Sequence, residues 1–132
     1  MKKFDNFCAA LKNLEDIYHY EEPYNNVVLT GLVALYEICF EQSWKAVKEI
    51  LELNGFSEGK TGSPRQILKT AYQAGMIQDE ALWLAALKTR NTVAHAYNKN
   101  VAYDIVRQTK EQYYDMFIKL KNEINENWLF IE

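Results

Sequence analysis

Apolar residues recur at helical spacing along almost the whole chain. Phe4, Phe7, Cys8, Leu11, Leu14 and Tyr18 form one stripe and predict a helix over about Lys3–Tyr18, with Lys12, Asn13, Glu15 and Asp16 facing water. The aromatic stretch Tyr18-His19-Tyr20-Glu21-Glu22-Pro23-Tyr24 follows, and its proline ends any helix; its tyrosines are expected to cover a bundle end or a partner surface. Asn25 or Asn26 can cap a second helix running to about Leu53, where Asn54-Gly55 is a stop signal. Its core stripe is Val28, Leu32, Leu35, Cys39, Trp44, Val47 and Leu51. Val27 and Phe40 widen that surface, as expected of a helix touching two layers or a second subunit.

Phe56 to Ser63 reads as a flexible loop with Gly59 and Gly62. Ser63 then caps a third helix with Pro64 at its first position; Ile67, Leu68, Ala71 and Tyr72 pack it down and Gly75 ends it. Asp79 caps a fourth helix, whose run Ala81-Leu82-Trp83-Leu84-Ala85-Ala86-Leu87 is apolar enough to predict deep burial. Asn98-Lys99-Asn100 forms a turn, and a fifth helix runs from about Val101 to Asn127. Its stripe is Val101, Ile105, Tyr113, Met116, Phe117, Leu120 and Ile124; Gln108 and Thr109 weaken it midway and leave room for a groove. Trp128, Leu129, Phe130 and Ile131 make an apolar tail expected to pack on the protein or on a partner. The pattern predicts an all-α fold, an up-and-down bundle of about five helices in one domain over residues 1–132. There is no internal repeat, low-complexity segment or linker.

Composition narrows the function classes. The chain has 132 residues, enough for one sizeable core, and 48% hydrophobic residues argue against disorder. A net charge of −3 excludes a protein that coats nucleic acid with a basic surface, so any RNA contact must be local. Lys88, Arg90 and Lys99 flank the stretch considered next, whereas Lys60, Arg65 and Lys69 read as solvated surface. Cys8 and Cys39 fall on apolar helix faces and read as buried free thiols in a reducing compartment. The N-terminus lacks a signal-peptide core, and Val27 to Phe40, interrupted by Thr30, Gly31 and Glu37, is too short to span a bilayer; a soluble cytoplasmic protein is expected. His19 with Glu21 and Glu22 has no second ligand cluster beside it, and phosphate-cradling glycine loops are absent, so no metal or cofactor is expected.

The chemistry concentrates in Arg90-Asn91-Thr92-Val93-Ala94-His95-Ala96-Tyr97. A charge leaving a buried helix must emerge into a cleft, an interface or solvent. Arginine's planar fork binds phosphate and stabilises charge developing on its oxygens. Histidine can take a proton from a ribose 2′-hydroxyl or give one to a leaving oxygen, and neither step needs a metal. Five residues on a regular helix separate two side chains by about 140°, so either the helix breaks between Arg90 and His95 or a second copy completes the site. Glu41 lies close to the stripe of the second helix; it is either exposed or half-buried against a partner, for which Arg90 is a candidate.

These residues resemble the motif of the HEPN domains: Arg, a polar residue, three variable residues, His, any residue, Tyr. The chain is similar in particular to the small helical proteins encoded beside minimal nucleotidyltransferases, also called nucleotidyltransferase substrate-binding proteins. Phe40-Glu41-Gln42-Ser43-Trp44-Lys45, Gly62-Ser63-Pro64-Arg65, Ala74-Gly75-Met76-Ile77 and Trp83 look like the same family, and the resemblance runs from about Phe7 to Tyr97 and, more loosely, over the last helix.

The resemblance implies a helical bundle that forms a homodimer and brings two Arg–His motifs to one cleft. It implies a metal-independent endoribonuclease toxin, neutralised by a partner minimal nucleotidyltransferase that in some systems adds AMP to the tyrosine. Carried over residue by residue, Arg90 and His95 would be catalytic, Asn91 a supporting polar residue and Tyr97 the modification site, with Lys88 and Lys99 as candidate RNA contacts. An alternative within the same family is a non-catalytic subunit that holds nucleotide or RNA for the transferase. The chain is all-helical by pattern and lacks strands bearing paired acidic metal ligands, so it is not itself the transferase.

Overall fold

A computed structural model describes residues 2–56 and 62–129; Gly59 and Lys60 of the predicted loop, and Phe130 and Ile131 of the predicted tail, lie outside them. The described residues contain helices and no strands. Helix α1 is Lys2–Leu14 and passes into a 3-10 turn, Glu15–His19. Helix α2, Asn26–Leu53, is the longest; the Asn25 side chain accepts a hydrogen bond from the Val28 N–H and so satisfies one of the free donors of its first turn. Helices α3 (Pro64–Gln73) and α4 (Glu80–Asn91) begin with side-chain caps from Ser63 and Asp79. Gly55 and Gly75 follow α2 and α3 at φ of 86° and 84°, where any other residue would be strained.

The last predicted helix is a rod in three pieces: α5 (Lys99–Gln108), a π turn (Thr109–Tyr113) and α6 (Tyr114–Asn127). The weak point at Gln108 and Thr109 is therefore this π turn rather than a groove. Thr109 is buried and returns its hydroxyl to the Ile105 carbonyl, so a polar residue in the core is satisfied locally. Tyr113 at the other end of the turn also faces the core, and its hydroxyl shares a 2.8 Å hydrogen bond with Thr89 in the last turn of α4.

The core is aromatic at its centre. Tyr36 lies against Phe40, Tyr113 and Phe117, and Trp83 sits edge-on to Phe117 and beside Phe40. The Tyr36 hydroxyl donates to the Ala86 carbonyl, fixing α2 against α4, and its burial pushes the phenol's pKa far above the usual range. Helix α1 packs on α2 and α6, and α3 on α2 and α4.

Several expected core positions are shifted. After α1, Ile17 is buried while Tyr18 is exposed, because the 3-10 turn changes the spacing. In α2, Leu29, Val33, Tyr36, Ala46 and Ile50 are buried, whereas Val28, Leu35 and Trp44 are half-buried and Val27 is 81% exposed. Tyr72 of α3 is exposed. Cys39 is buried, but Cys8 only half so. The apolar helix α4 buries only Trp83, Ala86 and Leu87; Ala81 and Ala85 are exposed and Leu82 and Leu84 half-buried. No described helix is long and apolar enough to cross a membrane.

Tyr36→Phe removes the donor to the Ala86 carbonyl and leaves a buried acceptor without a partner. We expect the free energy of unfolding in urea to fall by about 1–3 kcal/mol with an unchanged slope; equal stability would mean that this bond contributes nothing to docking α4.

Candidate functional site

Helix α4 ends where its own side chains end it. Thr92 turns both its N–H and its hydroxyl onto the Thr89 carbonyl, at 2.9 and 2.7 Å. The chain then makes a 3-10 turn, Val93–His95, and Asn98 accepts from the Asn100 and Val101 N–H groups to start α5. Of the two alternatives that the Arg90–His95 spacing leaves, the helix break is present.

Arg90 occupies the edge of the core. Its guanidinium carbon lies 5.8 Å from the centroid of the buried Phe40 ring, and its Nε lies 3.2 Å from Glu41 Oε1. Both side chains keep about a quarter of their surface exposed, at 25% and 28%. Burial at this level makes the charge pair significant, since each ion would otherwise lose hydration without return. Glu41 is itself held: its second oxygen accepts a 2.8 Å bond from Trp44 Nε1. The half-buried and paired state of Glu41 is therefore the one observed. The carboxylate stands off the Nε–H axis, so Nε is buried within ion-pair distance yet unaligned for a hydrogen bond. Among the described residues nothing accepts a hydrogen bond from the guanidinium. Nε is closed off by burial, so the terminal Nη donors are the ones left to meet an outside acceptor such as a phosphate.

His95 and Tyr97 are exposed and sit edge-on, with ring centroids 6.3 Å apart. Tyr97 is 85% exposed, the largest exposure of any big apolar side chain described. Asn91 does not join them within one chain. It lies with Lys88, Arg65, Ala81 and Leu84 along a shallow depression on the open side of α4. Lys99 is exposed at the start of α5. Of the remaining cations singled out from the sequence, Lys69 pairs with Glu80. Of the acidic pair Glu21 and Glu22, Glu22 takes two hydrogen bonds from Arg107, which hold its carboxyl below its ordinary pKa, and His19 stands 3.9 Å from Asp16.

A second feature of the site had no signal in the sequence. A groove of about 530 Å3 runs between α2 and the motif, bounded by Asn26, Thr30 and Glu37 on one wall and Val93, Ala96 and Tyr97 on the other. A more enclosed cavity, about 330 Å3, lies elsewhere, between Met76, Trp83, Met116 and Leu120. Asp79, Glu123 and Glu126 rim it, a setting that repels phosphate, and Asp79 caps the end of α4 remote from Arg90.

Comparison with known proteins agrees with this architecture. The family model described as "Nucleotidyltransferase substrate binding protein like" matches residues 2–126. A Haemophilus influenzae protein named "Probable ribonuclease HepT" is 26% identical over 85 residues, 63% of this chain and 58% of that protein, so the match spans less than two thirds of the relative's length. A solved structure from Thermus thermophilus superposes with a TM-score of 0.76 at 25% identity, covering 89% of this chain and 98% of the other. A second, from Haemophilus influenzae, is described as the fold of a substrate binding domain of a nucleotidyltransferase. It gives a TM-score of 0.80 at 21% identity over 93% and 99% of the two chains, and shows the fold.

Glu41→Gln keeps an acceptor for Trp44 but removes the charge that faces Arg90. We expect thermal and urea unfolding to report a loss of about 1 kcal/mol, reduced at high salt; unchanged stability would mean that Arg90 is not held by this carboxylate.

Proposed function

Because the chain belongs to the nucleotidyltransferase substrate binding protein-like family, we propose that it is the ribonuclease member of a pair whose other member is a nucleotidyltransferase. The observation that carries this reading is the state of Arg90: a half-buried cation, oriented by Glu41 and Phe40, with unused donors, one helix break away from an exposed imidazole. That is the chemistry of phosphodiester transesterification. The ribose 2′-oxygen attacks phosphorus, the 5′-oxygen leaves, and a 2′,3′-cyclic phosphate forms. Arg90 binds the non-bridging oxygens and stabilises their growing charge. His95 takes the proton of the 2′-hydroxyl, and His95 of a second copy gives one to the departing 5′-oxygen.

The second copy is part of the proposal. The open apolar side of α4, with Ala81, Leu84 and Ala85, and the outward residues Val27 and Ile38 of α2 are surfaces that a homodimer would cover. A dimer also returns Asn91, Lys88 and Lys99 to the shared cleft as polar and cationic support. Exposure of Tyr97 fits modification by the partner: its phenolic oxygen attacks the α-phosphorus of ATP and pyrophosphate leaves, placing an AMP beside His95 and blocking RNA. The net charge of −3 favours a second reading, in which the chain holds nucleotide or RNA for the transferase and cuts nothing.

Purified, unmodified protein should cleave RNA in the presence of EDTA. Arg90→Ala and His95→Ala should each lower the rate by at least about a hundredfold while leaving circular dichroism unchanged. Intact wild-type protein that cleaves no RNA would favour the binding-subunit reading, and full activity in either variant would remove that residue from the mechanism. On co-expression with the transferase, Tyr97→Phe should abolish the mass gain of an adenylyl group; a gain that persists moves the modification elsewhere.

A further inference from the structure

The direction of the chain beside α2 gives the groove a defined polarity. Arg90 meets Glu41 near the middle of α2, and the Tyr103 hydroxyl accepts from the Tyr24 N–H just ahead of α2. The segment between these two anchors therefore runs antiparallel to α2. The wall from Asn26 to Glu37 spans 12 residues of helix, a rise of about 16 Å. Glu37 and Tyr97 line the same groove of about 530 Å3, whose motif wall begins with Val93, three residues after Arg90.

The lining separates bases from phosphates. Glu37 is half-buried, and no ion pair or hydrogen bond engages its carboxylate among the described residues. Such a carboxylate repels a phosphate and accepts hydrogen bonds only. It selects for a ligand edge that donates twice. Among the four bases of unpaired RNA, guanine alone offers two adjacent donors on its Watson–Crick edge, the N1–H and the N2 amine. Adenine and cytosine place a lone pair beside their amine, and uracil flanks its single N–H with carbonyls. Tyr97 presents a ring on which any base can stack. Val93 and Ala96 give the base an apolar floor, while Asn26 and the Thr30 hydroxyl add polar contacts for a ribose or a neighbouring base. Thr30 already donates to the Asn26 carbonyl, so its oxygen is left to accept.

We propose that this groove is a nucleobase subsite, stacked by Tyr97 and read by Glu37, that prefers guanine in single-stranded RNA next to the scissile phosphate. The adjacency to a scissile phosphate rests on the ribonuclease reading; the base preference does not.

The test titrates the full-length, unmodified protein with GMP, AMP, CMP and UMP, and measures RNA cleavage on the same preparation. GMP should bind at least about tenfold tighter than the other three, the least expected of a bidentate contact. Glu37→Gln should shrink that preference to under about twofold. Tyr97→Leu should weaken all four nucleotides alike, by about fivefold or more. Equal binding of the four, no binding at millimolar concentration, or a guanine preference that survives Glu37→Gln would each overturn the subsite. GMP preference without RNA cleavage keeps the subsite and removes the ribonuclease. Cleavage with no base preference does the reverse.

Discussion

A permanent cation at the edge of an apolar core is the constraint from which the rest of this structure follows. Arg90 comes from the last turn of a helix whose inner face is Trp83, Ala86 and Leu87, and it cannot retreat into that core unpaired. Glu41 meets it from α2, Trp44 holds Glu41, and Phe40 lies beneath the guanidinium. Three residues within one turn and a half of α2 thereby set one side chain of α4. The arrangement orients the cation through its charge and its flat face, and leaves its donors unspent.

The core beneath transmits this placement. Phe40 touches Tyr36 and Trp83; Trp83 and Tyr36 both meet Phe117; and Tyr36 fixes α4 through the Ala86 carbonyl. The π turn then reaches the same helix from the other side, since Tyr113 bonds Thr89, the residue before Arg90. The π turn's backbone also accepts from Tyr18, and Lys110 donates to the Tyr20 carbonyl. One irregular turn thus ties the aromatic connection before α2 to the end of the motif helix.

Much of this was legible in the sequence, for identifiable reasons. Caps at Asn25, Ser63 and Asp79 and stops at Gly55 and Gly75 are local chemistry, and each acts as its residue type dictates. The Arg90–Glu41 pair was legible as one of two options, because a carboxylate beside an apolar stripe needs a partner. The faces of α2 and α4 were harder. A 28-residue helix rich in apolar residues offers several stripes, and which of them meets the core depends on tertiary packing that periodicity does not encode. In α4 the small residues Ala81 and Ala85 raise hydropathy without requiring burial. The π turn looked like a gap in the stripe because one extra residue shifts the phase. The groove beside Tyr97 left no trace in the sequence, since its two walls lie more than fifty positions apart.

The exposed position of His95 and Tyr97 carries an evolutionary consequence. Neither side chain packs into the core, and the motif turn is closed by Thr92 and Asn98 instead. The scaffold is therefore nearly blind to what stands at positions 95 and 97. Substitutions at these two positions should cost folding little, so the chemistry carried there can change while the scaffold stays the same. A shared fold then reports shape, and what a chain of this shape does has to be read from its own turn.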